Sequence, residues 1–119
     1  MPLSWQVALQ SLLAPVVQGR LFPNHAPDPV APPYIIYTRV SVRKLAVMDP
    51  NGGGGQLIST QCQLDVYATT YAQALAITND IRLALQDWDY PNTIEMEQDF
   101  YEAEPGLHRV LLEIKIWHA

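Results

Sequence analysis

The chain has almost no cysteine: one, Cys62, in 119 residues. An internal disulfide is excluded, and a reducing, cytosolic setting is expected. No apolar run approaches the roughly 18 residues that a membrane helix needs. The opening "MPLSWQVALQ" has neither a basic n-region nor a small-residue cleavage site, so no secretory signal is expected. Basic residues are scarce as well. Seven Lys and Arg stand against twelve Asp and Glu, for a net charge of -5. Phosphate contacts come from Lys and Arg, so tight binding to DNA or to an anionic membrane is not expected. A catalytic constellation is also missing. His25, His108 and His118 are scattered and have no partner nearby in sequence. Cys62 falls on the inward side of its strand, where a thiol is structural. The expectation is no enzyme, no cofactor and no metal.

What the chain does have is strong patterning. Apolar residues make up 49% of it, enough for a single domain over residues 1–119 with one core. Ser4 is placed to cap a first helix whose stripe is Trp5, Ala8, Leu9, Leu12, Leu13 and Val16. Pro15 removes a helix hydrogen bond, so the helix should end near Ala14. The stretch 23–33, "PNHAPDPVAPP", holds half of the ten prolines and reads as an extended connector. Pro29 and Pro32 have the spacing of a proline-rich docking peptide, but no basic residue flanks them.

Two β-rich runs come next. In "YIIYTRVSVR", 34–43, alternation sets Ile36, Thr38, Val40 and Val42 against Tyr37, Arg39, Ser41 and Arg43. In "LISTQCQLDVYA", Ile58, Thr60, Cys62, Leu64 and Val66 alternate with more polar residues. Between these strands lies "DPNGGGGQ", 49–56. A phosphate loop needs a helix behind its glycines, and here a strand stands in that place. Lys44–Gln56 therefore reads as a long hairpin loop.

Thr70 and Gln73 have capping-box spacing ahead of a second helix with the stripe Ala74, Ile77, Ile81, Ala84 and Trp88. A third strand, about 93–101, sets Ile94, Met96 and Phe100 against Glu95, Glu97 and Asp99. Pro105 and Gly106 suit a type II turn. A fourth strand, about 107–117, turns Val110, Leu112, Ile114 and Ile116 inward. The expected fold is α+β: a two-layer sandwich with two helices on one face of an antiparallel-rich four-stranded sheet, in the order α-β-β-α-β-β.

Charge is segregated. No base interrupts the acids from Asp87 to Glu104, while Arg39, Arg43 and Lys44 cluster earlier. Alternation would put Glu95, Glu97 and Asp99 on one sheet face. That strip would be a solvated face or, less simply, a hard-cation site of a small hydrolase. One sheet face, turned away from the core, would carry Tyr37, Arg39, Arg43, Tyr67, Leu111 and Trp117, a mix suited to an interface.

Several stretches, in order, carry a resemblance: "GRLFPNHAP" at 19–27, "PPYIIY" at 32–37, "CQLDVYATTYAQALAITNDIRLAL" at 62–85 and "GLHRVLLEIKIW" at 106–117. The chain resembles the small tail completion, or tail terminator, proteins of long-tailed bacteriophages and prophages. That resemblance implies a lambda-type terminator fold and structural work in the virion. It implies a ring of copies, usually six, on the head-proximal end of the tail tube. The partners implied are the tail tube protein and the head–tail connector protein. The alternatives are a neck protein on the head side of the joint, or a non-viral adaptor domain. A ring needs two unlike patches that meet. The candidate subunit or tube interface is Arg39, Arg43 and Lys44, the hairpin residues Asp49, Asn51, Gly52, Gly53, Gly54 and Gly55, and Glu95, Glu97, Asp99 and Trp117. An acidic lumen in such a ring would let DNA pass without sticking.

Overall fold

A computed structural model describes residues 4–27, 30–48, 54–103 and 105–118. Helix α1 spans Trp5–Leu13, and the Ser4 hydroxyl accepts a hydrogen bond from the Val7 amide. Pro15 ends the α-helix by tightening it into a 3-10 turn over Ala14–Val17. The turn rotates the chain, so Val17 and not Val16 is fully buried with Leu9 and Leu13. Gln18 and Gly19 take positive φ, and the chain enters a short strand, β1, at Leu21–Pro23. Strands β2 (Tyr34–Met48) and β3 (Gly54–Ala68) form a long hairpin. Helix α2 (Tyr71–Gln86) begins at the expected cap, with the Gln73 amide donating to the Thr70 hydroxyl. Strands β4 (Asn92–Glu102) and β5 (Leu107–His118) complete the chain. Gly106 has φ +80, and its amide donates to the Glu102 carbonyl at 2.8 Å to close the β4–β5 turn.

The sheet has five strands in the order β1-β2-β3-β5-β4, and β1 runs parallel to β2. This corrects the expected four-stranded sheet. The α+β class and the order of the other elements hold. One core cluster joins Leu9 and Leu13 of α1, Ile77 and Ile81 of α2, and Leu64, Val66, Leu112 and Ile114 of the central strands. Both helices therefore pack on one sheet face, and among the described residues the other face has no helix.

Two β-bulges alter the alternation read from sequence. One lies between Arg39 and Ser41, the other between Ile94 and Met96. Each adds one residue and turns the rest of its strand to the opposite face. In β2 the buried residues are Ile35 and Tyr37, whereas Val40 and Val42 are exposed. Ile36 and Thr38 pair with Asp65 and Gln63 on the helix-free side. In β4 the expected inward residues Met96 and Phe100 are exposed, and Ile94 alone of the three packs on the core. The segment Lys44–Gln56 is not a loop throughout. Pairing continues out to Met48 opposite Gly54, and residues 49–53 lie outside the described residues. The same holds for Pro29 of the proline-rich spacing.

Candidate functional site

The helix-free face is organised around one rung that crosses four strands. Tyr34 lies opposite Tyr67, Tyr67 opposite Arg109, and Arg109 opposite Phe100. The two tyrosine rings stack at 4.9 Å, and Phe22 joins them at the β1 edge at 6.5 Å. The Arg109 guanidinium lies 5.9 Å from the Tyr67 ring centre and 5.0 Å from that of Phe100. Its Nε donates to Asp65 Oδ1 at 2.8 Å, and a second nitrogen donates to Glu102 at 3.2 Å. Gln63 donates to the other Asp65 oxygen at 2.8 Å. Partial burial opposes the Arg109 charge, but the Asp65 hydrogen bond and charge outweigh it and raise its pKa. Burial raises Tyr67 and Tyr34 as well. Asp65 is only 5% exposed although it lies on the face without helices. Its neighbours along and across the strands cover it. No local pattern marks this pair, because its members are 44 residues apart.

The acidic strip is divided. Glu95, in the bulge, points to the helix-free side and lies 3.8 Å from Lys115. Glu97 and Asp99 pair with Leu112 and Val110 on the helix side. There Glu97 meets Arg82 of α2, and Asp99 accepts a hydrogen bond from the Tyr71 hydroxyl at 2.6 Å. That bond raises the Tyr71 pKa. The expectation of three carboxylates on one face is therefore overturned by the bulge. Among the described residues no group of three His, Cys, Asp or Glu is placed to hold a metal. Arg82 and Lys115, from this same chain, supply two of the counter-charges that a neighbour was expected to bring.

The interface face read from sequence is also divided. Arg43, Tyr67, Leu111 and Trp117 share the helix-free side, while Tyr37 and Arg39 pair with Leu64 and Cys62 on the helix side. Arg39, Arg43 and Lys44 are exposed and, among the described residues, have no carboxylate partner. Gly54 and Gly55 open β3. Asp49, Asn51, Gly52 and Gly53 lie outside the described residues. Trp117 borders an open groove of about 740 Å³ that wraps the start of β4, with Arg82, Trp88, Ile94 and Met96.

Two of the three histidines make packing contacts. His118 bonds Thr60 at 2.8 Å beside Trp5, and His108 sits between Tyr71 and Tyr101. Cys62 is fully buried, and burial pushes its thiol up to about 12. A thiol in that state has almost no thiolate at mildly alkaline pH. An alkylating reagent should leave Cys62 intact in the native protein and modify it on denaturation. Native-state labelling at the rate of a free thiol would contradict this placement. No helix among the described residues is long and apolar enough to cross a membrane.

This helix-and-sheet plan is shared with a chain of a solved virion. It superposes on a chain in the virion of a native gene transfer agent particle with a TM-score of 0.60. The two are 16% identical, over 94% of this chain and 92% of that one. The chain belongs to the family of the tail completion protein gp17, which matches it over residues 3–119. It is a structural, tail-related virion protein. No curated protein matches it.

Proposed function

We propose that this chain caps the head-proximal end of a phage tail tube as a ring of identical copies, and that the ring presents the surface met by the head connector. The observation that carries this reading is the family match over residues 3–119. Likeness in fold to a chain of the gene transfer agent virion supports it. So do the exposed cations of β2, which have no carboxylate partner among the described residues, and the acids of β4, which together give one copy two unlike patches. Docking, not turnover, is the chemistry in this reading, and the candidate interface is Arg39, Arg43, Lys44, Glu95, Glu97, Asp99, Trp117 and the hairpin end.

The test uses tails assembled in cells that lack this chain. Those tails are expected to run past their normal length and to fail to join filled heads. Added protein should decorate one tail end in negative-stain images and restore joining. Decoration of the portal vertex of tailless heads, with bare tail ends, would replace the proposal with the neck-protein reading.

A further inference from the structure

We propose that neighbouring copies join by sheet addition, the free edge of β2 in one copy pairing antiparallel with β4 of the next. The inference rests on the ring reading. Strand β4 ends the sheet, and its eleven residues have no partner on the outer side among the described residues. The other end is open too. Strand β1 covers β2 only at Ile35–Tyr37, and the Asn24 amide adds a last bond to the Tyr37 carbonyl at 2.9 Å. Asn24 then takes φ +67 and the chain leaves the sheet. From Thr38 to Met48 the outer side of β2 is bare among the described residues. Long bare edges are templates for strand pairing, and folds that must stay monomeric normally blunt them.

Three features select β2 with β4. Direction is the first. Successive pairings β2–β3, β3–β5 and β5–β4 are all antiparallel, so β2 and β4 run in opposite senses. A second copy set beside the first in the same orientation then meets it antiparallel, which is the better-bonded arrangement. Charge is the second. Pairing β4 with β4 would face Glu95, Glu97 and Asp99 with their own kind, and pairing β2 with β2 would face Arg39 and Arg43 likewise. Like charges across a strand pair are destabilising. Only the unlike pairing is attractive, and unlike patches build head-to-tail rings.

The third feature is face. Arg39 and Asp99 both lie on the helix side, while Arg43 and Glu95 both lie on the helix-free side. A register that sets Arg39 opposite Asp99 brings Arg43 beside the bulged Glu95. Asp99 gains a cation there; among the described residues of its own copy its side-chain partner is the Tyr71 hydroxyl.

The test is a cysteine pair, Arg39→Cys with Asp99→Cys, oxidised at high protein concentration and low salt. Both substitutions are made with Cys62→Ala, because Arg39 lies directly opposite Cys62 in the β2–β3 register and a cysteine at 39 would pair with it within one copy. Covalent multimers are expected as a ladder that stops at the copy number of the ring. In parallel, R39E/R43E should weaken self-association by roughly tenfold or more by sedimentation. Adding Glu95→Arg and Asp99→Arg to that variant should restore it. Rings that form without a ladder, and that ignore R39E/R43E, would overturn the edge contact and leave the ring reading standing. A chain that stays monomeric at its highest soluble concentration would overturn it also, and tail-end decoration would then decide the ring reading separately.

Discussion

Arg109→Ala is expected to destabilise the fold by about 3 kcal/mol, the low end for breaking a buried ion pair because the arginine keeps some contact with water. Its side chain is 22% exposed and that of Asp65 only 7%. Removing the guanidinium leaves the Asp65 carboxylate with the Gln63 amide as its remaining side-chain donor. It also takes the cation from between Tyr67 and Phe100, and such contacts add about 0.5–1 kcal/mol each at partly exposed sites. For a domain of this size the melting temperature should fall by about 10 °C or more. The cause can be separated by a second variant. Asp65→Leu with Arg109→Met removes both charges and keeps apolar bulk, and it should recover most of the loss. If the double variant melts no higher than Arg109→Ala, packing around the arginine, and not the stranded carboxylate, carries the effect.

Ile114→Ala should cost about 2–5 kcal/mol, while Met96→Ala should stay within about 0.5 kcal/mol of the parent. Ile114 is fully buried between Cys62 and Ile94 in the sheet register. Truncating it opens a cavity that rigid neighbours on two strands cannot close. Met96 is 40% exposed because the bulge turns it to the helix-free side. Urea unfolding of the two variants checks both numbers and the position of the bulge. A loss of several kcal/mol at Met96 would mean that plain alternation continues through β4.

The contrast between Ile114 and Met96 also marks what a sequence can carry. Strand β5 is legible in full, since Val110, Leu112, Ile114 and Ile116 alternate without interruption and all are buried. The helices are legible from their caps, where Ser4 and Thr70 accept the amide bonds that their spacing announces. Face assignments fail where a bulge intervenes. Neither Val40 nor Glu95 is a glycine or a turn former, so nothing local marks the extra residue. The start of β2 fails for a different reason. "YII" offers two isoleucines side by side, and tertiary packing selects Ile35 over Ile36. Strand β1 escapes detection because three residues are too few to show a period. The Arg109–Asp65 pair depends on a register that no local pattern encodes.

The outermost part of the β2–β3 hairpin differs mechanically from the sheet that bears it. Among the described residues, strand β5 reaches β3 as far as Ile58, and Gly54–Leu57 pair with β2 alone. Two-stranded ribbons twist more than wider sheets and resist bending less. The ribbon belongs to a chain that measures 56 Å along its longest axis against 28 and 24 Å along the others. It is a lever with a stiff root, and a small tilt at Ile58 becomes a larger sweep further out. In the proposed ring the roots of all copies would be fixed, yet each lever would keep its own angle. Repeated subunits would in this way meet a surface whose height varies around the circle.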